Sequence, residues 1–439
     1  MNEWPTRRLV DLCDPDRGIT YGIVKVGDFV AGGVPVIRGG DIRENTIVFS
    51  DEKRVSLEVS NQFKRTIIRG GEILINLISE PGHCAIAPES LRGANVSRDV
   101  AVISLGKEVD HNYICYFLKS KVAIDWLNAR MQGSVTQKIN LGTLKELPVP
   151  LPDFSAQAKI SSFLGFFDEK IELNRQMNET LEVMARAIFR EWFVNFGPTR
   201  RKIDGASDPV EIMGGLVADA ERAEQLADLF PTNFGENGLP EGWESKGLDQ
   251  IADFLNGLAL QKYPATNDTH NIPVVKIAEL RNGITPKSGR ASRAIPEKYI
   301  VKDGDFLFSW SGSLLAKFWT EGEGALNQHL FKVTSNHYPK WFYSLWVQHY
   351  MPEFQQIAAS KATTMGHIQR NHLTAATAAC PPPNAVQIMG VIFDPIVSRT
   401  IHNEIENRTL ATTRDLLLPK LMSDEIRLEE AAEALEAAQ

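Results

Sequence analysis

The sequence has few of the features that mark secreted, membrane-spanning or metal-binding proteins. Its 439 residues include four cysteines that form no CxxC pair and no zinc-ligand spacing, so we expect reduced thiols. No apolar run reaches the roughly 18 residues of a membrane span, and the first residues lack the apolar stretch of a signal peptide. We therefore predict a cytoplasmic chain that makes no contact with a membrane.

The common catalytic signatures are also missing. The sequence contains no GxxxxGK(S/T) phosphate loop, no GxGxxG after a predicted strand and no HExxH zinc motif. The Asn/Asp-Pro-Pro-aromatic tetrad of amino-methyltransferases is absent as well, because Pro-Pro-Pro-Asn at 381–384 does not match it. His367 and His372 are five residues apart, an awkward spacing for a metal on a helix, so we expect ordinary polar roles for them. These absences predict that catalysis comes from another chain and that no metal binds this one.

What the sequence does contain is an internal repeat. A shift of 229 residues aligns 139–193 with 368–422. Upstream the shift drifts to 233, where 71–74 meets 304–307, and then to 238 and 239 nearer the start, because surface loops differ in length. Two copies of one unit favour two similar binding surfaces over a single catalytic pocket.

Each copy closes with a long amphipathic segment. In the first copy, apolar or asparagine residues recur at alternating steps of four and three, the 3.5-residue period of a coiled coil. These residues are Ile160, Leu164, Phe167, Ile171, Asn174, Asn178, Leu181, Ala185, Ile188 and Trp192. The equivalent pattern of the second copy is interrupted by Thr400 and Arg414 but is apolar at both ends. Proline-rich stretches at 148–152 and 381–383 mark where the two helices start.

Both copies place asparagine at two successive core positions of this pattern. They are Asn174 and Asn178 in the first copy and Asn403 and Asn407 in the second. A buried asparagine matches best against another asparagine, so such a pair fixes register and orientation. We predict two helices that pack antiparallel with their asparagine layers facing each other. The alternative is that these side chains face solvent on ordinary surface helices.

The remainder of each copy predicts a mixed domain of short strands, turns and a few helices. Apolar runs that follow turn residues predict strands at 34–37, 73–75, 272–275 and 306–308, and aromatic stripes predict helices at 111–131 and 341–359. The chain has a net charge of −8, but the acidic excess lies outside these domains, because residues 1–152 carry a net charge of +1 and residues 242–380 carry +3. Neutral to mildly basic domains permit DNA binding, since local patches attract phosphates more than the total charge does.

Polar, basic and glycine-containing loops of the two mixed domains supply the candidate DNA-binding residues. Arg and Lys bind phosphates or guanine, and Asn and Gln match adenine edges. The candidates of the first domain are Arg38, Arg43, Lys64, Arg65, Arg92, Arg98, Thr136, Gln137 and Lys138. Those of the second domain are Lys276, Arg281, Lys287, Arg290, Arg293, Trp310, Ser311, Ser313, Gln328, His329 and His367. The alternative for any one of them is plain solvation. Because the loops differ between the copies, we expect the two domains to read different sequences.

The chain resembles the specificity subunit of type I restriction–modification systems over nearly its whole length. The resemblance is strongest at Leu-Pro-Val-Pro-Leu-Pro, residues 147–152, and at Arg-Asp-Leu-Leu-Leu-Pro-Lys-Leu-Met-Ser, residues 414–423. The connector, from 196–198 to 240–243, is also similar to family members.

The resemblance implies an α+β fold in which two mixed α/β target-recognition domains are separated by two long antiparallel coiled-coil helices, with a pseudo-two-fold internal repeat. The implied division is target-recognition domain 1 at 1–152, spacer helix 1 at 153–196, an acidic connector at 197–241, target-recognition domain 2 at 242–380, spacer helix 2 at 381–425 and an acidic Ala/Glu-rich tail at 426–439.

The resemblance also implies a DNA-specificity role without catalysis. Each domain would read one half of a bipartite, asymmetric site in double-stranded DNA, and the helical rod would fix the gap between the halves. The implied partners are two DNA adenine methyltransferase subunits, which use S-adenosylmethionine, and, in systems that have them, two motor–nuclease subunits, which use ATP and Mg²⁺. No cofactor is expected to bind this chain itself, and base flipping would take place in the partner.

Two other functions are open from the sequence. The chain could be the recognition portion of a single-chain methyltransferase–nuclease, although the missing tetrad argues against this, or a scaffold whose mixed domains bind proteins.

The chain departs from the family pattern after Met422-Ser423, where Asp424 replaces the usual glycine. A glycine there would end the helix with a left-handed turn. We therefore expect the last helix to continue past its usual stop and the tail to be a solvated helix.

Overall fold

The structure of the protein is a computed structural model that describes residues 4–43, 46–49, 53–78, 82–131, 138–266, 270–360, 366–423 and 425–431. No helix within these ranges combines the length and the apolar character that crossing a bilayer demands. The chain divides into two compact units. The first unit comprises Met1–Ile171 and Thr409–Gln439, and the second comprises Glu172–Arg408.

Among the residues described before position 154, the first unit contains short strands and four short α-helices, and the start of a long helix follows. Its strands are β1 (Thr6–Arg8), β2 (Ile19–Tyr21), β3 (Val34–Ile37), β4 (Ile42–Arg43), β5 (Thr46–Ile47), β6 (Arg54–Val55), β7 (Ile73–Asn76), β8 (Cys84–Ile86), β9 (Asn95–Val96), β10 (Val100–Ile103) and β11 (Pro148–Pro150). Its helices are α1 (Leu57–Gln62), α2 (His111–Lys119), α3 (Lys121–Asn128) and α4 (Leu141–Lys145), and the long helix is α5 (Phe154–Phe189).

Two sheets form the body of the first unit. The larger has the order β2-β10-β7-β8 and is antiparallel, and the smaller has the order β6-β3-β9 with β3 and β9 parallel. Every residue of β7 and β10 is buried, which fits their nearly continuous apolar sequences, broken only by Asn76, because strands covered on both faces need no polar alternation. Strand β1 pairs with β11, and β4 pairs with β5.

The second unit contains the remaining elements. Its helices are α6 (Gly197–Ile203), α7 (Pro209–Ile212), α8 (Ala220–Ala227), α9 (Leu248–Ile251), α10 (Ile277–Asn282), α11 (Lys340–Ser360) and α12 (Arg370–Ala375), and the long helix α13 (Pro383–Met422) begins in it. Its strands are β12 (Glu244–Gly247), β13 (Asp253–Asn256), β14 (Asn271–Val275), β15 (Arg290–Ser292), β16 (Ile300–Val301), β17 (Phe306–Ser309), β18 (Ala316–Phe318), β19 (Gly324–Leu326), β20 (Leu330–Thr334) and β21 (Thr377–Cys380).

The sheets of the second unit repeat those of the first. The antiparallel sheet has the order β13-β20-β17-β18, and the other sheet, β15-β14-β19-β16, again contains one parallel pair, β14 with β19. Strand β12 pairs with β21 as β1 does with β11. The helices α4 and α12, and likewise α5 and α13, start 229 residues apart. The internal repeat predicted from the sequence is therefore confirmed.

A tight turn before the central strand is built alike in the two units. Gly71 and Gly304 both have positive φ, +87° and +83°, a conformation that glycine adopts without strain. The acid that follows each glycine accepts a hydrogen bond from a backbone N–H three residues before it: Glu72 from Arg69 at 2.9 Å and Asp305 from Lys302 at 2.8 Å. This match explains why the sequence repeat is clear at this place.

The acids of these two turns have different partners. Glu72 forms an ion pair with Arg17, and both side chains are less than 10% exposed. The second guanidinium nitrogen of Arg17 donates to the backbone oxygens of Arg65 and Ile67 at 2.9 and 2.7 Å. In the second unit Lys332 lies 2.7 Å from the Asp305 carboxylate, and both side chains are more exposed, at 16% and 19%.

Both long helices belong partly to each unit, because the unit boundaries fall after Ile171 in α5 and after Arg408 in α13. Within α5 the predicted seam is buried except at Leu181, which is half-buried, and the seam of α13 is buried at its two ends and at its asparagines. After Phe189 the chain makes a wider π-helical turn, Arg190–Val194, which places Trp192 and Phe193 in the core of the second unit.

The four asparagines meet as predicted. Asn174 Nδ2 donates to Asn407 Oδ1 at 3.0 Å, and Asn403 Nδ2 donates to Asn178 Oδ1 at 2.8 Å. Since the lower number on α5 pairs with the higher number on α13, the two segments are antiparallel. The prediction of antiparallel helices with facing asparagine layers is confirmed.

Two expectations about helices were wrong. The predicted helix 111–131 is two helices, because Ser120 ends α2 and caps α3 by accepting a hydrogen bond from Ala123 N at 3.3 Å. Helix α13 does not continue past its usual stop. It ends at Met422, where Glu425 N donates to Lys420 O at 2.9 Å in the spacing of a helix-terminating turn.

The tail after α13 is less solvated than expected. Ala431 is fully buried, and Ile426 and Leu428 pack against the core of the first unit. The tail is helical at 428–431, as expected, but it is packed rather than fully solvated. Residue 424 and residues 432–439 lie outside the described ranges.

All four cysteines are free thiols. Burial raises the pKa of Cys13 to about 12 and that of Cys380 to about 11. A hydrogen bond with Cys115, together with burial, raises the pKa of Cys84. These three thiols stay protonated at neutral pH, so they pack as small apolar groups.

Candidate nucleic-acid interface

Several of the candidate residues of the second unit lie at one end of its antiparallel sheet. Strands β13 and β17 both end there and β20 begins there, because Asn256 is opposite Phe331 and Ser309 is opposite Leu330. We call the residues that project from this end the second edge. They are Asn256, Trp310, Ser311, Gln328, His329 and His367.

Trp310 is the centre of the second edge. Its indole N–H lies 3.0 Å from Asn256 Oδ1 and 3.2 Å from the backbone oxygen of Gln328. Its ring lies 5.9 Å from the ring of His329 and 6.4 Å, edge to face, from that of His367. The indole is therefore held in one orientation while remaining half-buried.

Hydrogen bonds connect the polar side chains around this indole. Ser311 Oγ lies 2.9 Å from His329 Nδ1, and the Gln328 amide nitrogen lies 3.4 Å from His329 Nε2. An antiparallel bridge between Ser311 and His367 closes the group. Half-buried amide and imidazole groups of this kind can donate to or accept from the edge of a base.

The first unit has an equivalent edge. The strand pairs β2–β10 and β10–β7 have the same register as β13–β20 and β20–β17, which makes the equivalences unambiguous. We call the equivalent residues the first edge. They are Tyr21, Leu77, Ile78, Arg98, Asp99 and Lys138, in the same order as the second edge.

The two edges share a frame of backbone hydrogen bonds. Each donor–acceptor pair of the first edge recurs at the equivalent positions of the second. In the first unit, Leu77 N donates to Asp99 O (2.7 Å), Arg98 N to Ile23 O (2.9 Å), Ser97 N to Ile37 O (2.9 Å) and Ile139 N to Leu77 O (2.9 Å). The equivalent bonds of the second unit are, in the same order, Trp310 N to His329 O (3.4 Å), Gln328 N to Leu258 O (3.0 Å), Asn327 N to Val275 O (3.1 Å) and Ile368 N to Trp310 O (3.0 Å).

A glycine allows the close chain approach on which this frame depends. A Cβ on Gly22 would lie 1.9 Å from Val96 O, and one on Gly257 would lie 2.3 Å from Asn327 O. Since both obstacles are backbone atoms, no side-chain rotation could relieve the clash. The residue just before each glycine, Tyr21 or Asn256, is consequently held at its edge.

A basic residue flanks each edge at the same position. Arg38 follows β3, Lys276 follows β14, and the backbone oxygen just before each accepts one of the frame hydrogen bonds. The backbone N–H of Arg38 donates to Asp41 Oδ2 at 2.8 Å, and that of Lys276 donates to Glu279 Oε2 at 3.1 Å. The two cations are therefore placed by the same local turn.

The structure brings three candidates of the first unit together, namely Arg38, Arg98 and Lys138. Lys64 and Arg65 lie nearby, on the wall of a groove of about 570 Å³ that Tyr21 also lines. The Arg65 guanidinium donates to the backbone oxygen of Arg17 at 2.7 Å, which gives this side chain a structural role.

The other candidates of the first unit are not part of this group. Arg92 is exposed and forms an ion pair with Glu89. Thr136, Gln137 and the side chain of Arg43 lie outside the described residues.

Five candidates of the second unit do not belong to its edge. Arg281 and Lys287 are exposed. Arg290 donates to the backbone oxygen of Asn271 at 2.6 Å, and Arg293 forms ion pairs with Glu297 and Glu323 at 3.2 and 3.1 Å. Ser313 is exposed, and its backbone oxygen accepts a hydrogen bond from Ser309.

Sequence reasoning missed Tyr21, Asn256 and Asp99. Tyr21 is 48% exposed, and the Asp99 carboxylate accepts a hydrogen bond from Gly39 N at 2.9 Å beside Arg38. The signal that could have identified Tyr21 and Asn256 is the glycine after each, since Gly22 and Gly257 match at a shift of 235.

Among the residues that the structure describes, no group of three or more His, Cys, Asp and Glu could hold a metal ion. Both edges instead offer hydrogen-bonding groups on the shared backbone frame, and a cation, Arg38 or Lys276, flanks each of them. Such an arrangement suits the recognition of a polar, anionic surface such as DNA.

Comparison with known proteins agrees with this geometry. The model of a family described as type I restriction modification DNA specificity domain matches residues 1–183 and 240–410. The chain is 24% identical to the type I restriction enzyme MjaIX specificity subunit of Methanocaldococcus jannaschii, over 98% of this chain and 94% of that one. It is 23% identical to the HindI specificity subunit of Haemophilus influenzae, over 97% of this chain and 100% of that one.

The fold also has a counterpart among solved structures. The crystal structure of the type I restriction–modification S subunit from M. genitalium aligns with a TM-score of 0.51 and 14% identity, covering 95% of this chain and 96% of that one.

Proposed function

We propose, because this chain belongs to the family of type I restriction–modification DNA specificity subunits, that each of its two units reads one half of a bipartite DNA site. The observation that supports this most is the pair of equivalent edges. Two units with the same frame present two different sets of side chains, as reading two different half-sites in double-stranded DNA would require. The complete site is then asymmetric.

The paired helices α5 and α13 set the spacing between the half-sites. The asparagine layers favour one register of the antiparallel pair, because a slip would leave four buried amides without partners. A fixed register gives a fixed number of base pairs between the two half-sites.

The same helices dock two DNA adenine methyltransferase subunits. Large apolar side chains remain exposed on them, including Phe166 (63%), Val183 (67%) and Leu416 (64%). Covering such side chains would give a partner apolar area to bury along the helices.

The chain contributes recognition and assembly, and its partners contribute the chemistry. The methyltransferase subunits bind S-adenosylmethionine, and two motor–nuclease subunits, in a system that has them, use ATP and Mg²⁺. This division is supported by the absence of catalytic motifs from the sequence.

The test is to express the chain with its methyltransferase partner in a host that lacks adenine methylation and to map methylated adenines across the genome. We expect one bipartite motif with a fixed internal gap, absent when the chain is omitted. A continuous motif, or methylation that does not depend on the chain, would refute the proposal.

The spacing is tested by deleting 179–185 from α5 together with 396–402 from α13. These stretches face each other in the observed register, so their removal leaves the asparagine layers matched. Seven residues shorten a helix by about 10 Å, or roughly three base pairs. We expect the gap in the motif to shrink by that amount while both half-sites stay the same. Deletion of 179–185 alone is the control, because it breaks the register and should abolish methylation.

A further inference from the structure

The two edges differ in side chains where they agree in backbone. Position by position, the first edge has Tyr, Leu, Ile, Arg, Asp and Lys where the second has Asn, Trp, Ser, Gln, His and His. Because the frame consists of backbone hydrogen bonds, the same donors pair with the same acceptors despite these differences. The frame is thus compatible with either set of side chains.

The flanking cations show the opposite behaviour. Arg38 and Lys276 occupy equivalent positions in the same kind of turn and have the same charge. A charge that is the same in both units suits contact with the phosphate backbone, because that backbone is common to all DNA sequences. Side chains that differ between the two units suit contact with the edges of bases, because base edges are what distinguishes one DNA sequence from another.

Positions 98 and 328 combine a clear chemical difference with access to solvent. Arg98 is exposed, Gln328 is half-buried, and the backbone N–H of each is fixed by the frame. An arginine pairs best with the O6 and N7 atoms of guanine, and a glutamine pairs best with the N6 and N7 atoms of adenine. Gln328 also lies beside Trp310, whose indole N–H is bound to its backbone oxygen.

Resting on the proposed function, we propose that residues 98 and 328 are the equivalent base-reading residues of the two units. Arg98 selects a guanine in the half-site of the first unit, and Gln328 selects an adenine in the half-site of the second. Arg38 and Lys276 bind phosphates and do not discriminate between bases.

The test exchanges the two residues in the full chain, assembled with its methyltransferase partner. Methylated adenines are mapped for Arg98→Gln and for Gln328→Arg. We expect Arg98→Gln to change one position of one half-site from guanine to adenine, and Gln328→Arg to change one position of the other half-site from adenine to guanine. Each new preference should be about 10- to 100-fold, the discrimination that one bidentate pair provides.

Three matched variants isolate the cause. Arg92→Gln removes an exposed arginine of the same unit that pairs with Glu89 instead, so the motif should stay the same. Arg98→Lys keeps the charge but loses the planar pair of donors, so the guanine position should become less selective. Arg38→Gln should weaken binding to all sequences alike and reduce the slope of affinity against salt concentration by about one ion.

The outcomes separate this inference from the proposed function. An unmodified chain that gives no bipartite motif refutes the proposed function. A bipartite motif that is identical in Arg98→Gln and Gln328→Arg refutes the inference alone. If a variant assembles but methylates too little to map, its half-site is determined by selecting bound duplexes from a random library with the purified complex. An unchanged selected half-site then counts equally against the inference.

Discussion

The first and second edges show how one frame can present two chemistries. Both are held by the same backbone hydrogen bonds, yet one carries arginine, lysine and aspartate and the other carries tryptophan, glutamine and histidine. The shared hydrogen bonds join backbone atoms, so both sets of side chains are compatible with them. What the two edges have in common is therefore main chain, and what differs between them is side chain.

The turns behind the edges show a second difference, this time in stability. Glu72 and Asp305 are equivalent, but Glu72 is paired with a buried arginine whereas Asp305 is paired with a more exposed lysine. A charge that is buried depends on its partner far more than one that water can reach. The first unit therefore depends on this one ion pair more than the second does.

Replacing the acids of the two ion pairs tests that difference and should give the largest loss of stability. Glu72→Gln should lower the free energy of unfolding of the first unit by about 3–5 kcal/mol, because Arg17 would remain buried without a counter-charge. Asp305→Asn should lower that of the second unit by less, because the Asp305–Lys332 pair is more accessible to water. Hydrogen–deuterium exchange at the amides of β7 and β17 measures the two units separately. Equal losses in both variants would show that the two ion pairs do not differ.

An intermediate effect is expected at the glycines of the frame. Gly22→Ala and Gly257→Ala should each cost about 1–3 kcal/mol in its own unit, because the new methyl group meets a backbone oxygen. Mapping of methylated adenines should then show, in each variant, one half-site with weaker base preferences and one with unchanged base preferences.

Gly40→Ala is the control for this pair, because a Cβ at position 40 would have no atom within 4 Å. If Gly22→Ala weakened the base preferences of both half-sites equally, the two edges would not recognise DNA independently.

The smallest effect is expected at the asparagine layers. Asn174→Leu and Asn403→Leu alter repeat-equivalent positions, so each should cost a similar amount, about 1 kcal/mol, by leaving a buried amide of its partner unpaired. Replacing the partners Asn174 and Asn407 together should recover that loss, since an apolar layer replaces a polar one. Thermal unfolding of the single and double variants provides the measurement. Clearly unequal costs for the two single variants would mean that α5 and α13 are not equivalent in the pair.

The sequence was sufficient to predict the elements whose signals are local or repeated. The 3.5-residue period, the proline stops and the paired asparagines predicted both long helices and their antiparallel contact. The shift of 233 aligned Gly71 with Gly304, and the structure shows the same turn at each.

The composition of the edges could not be predicted in the same way. Tyr21, Leu77, Asp99 and Lys138 are far apart in the chain and come together only through the strand order, which no local pattern encodes. The end of α13 was mispredicted for a similar reason. The burial of Ala431 in the first unit is a tertiary contact that no local pattern in the tail encodes.

The asparagine pairing has a consequence for shorter chains. Asn407 is the repeat equivalent of Asn178, so the contact of Asn174 with Asn407 could equally be made between two α5 helices from separate molecules. A polypeptide carrying one copy of the repeat would thus be self-complementary along its helix. Two such molecules would form a symmetric pair, and under the proposed function the DNA site that they recognise together would be palindromic.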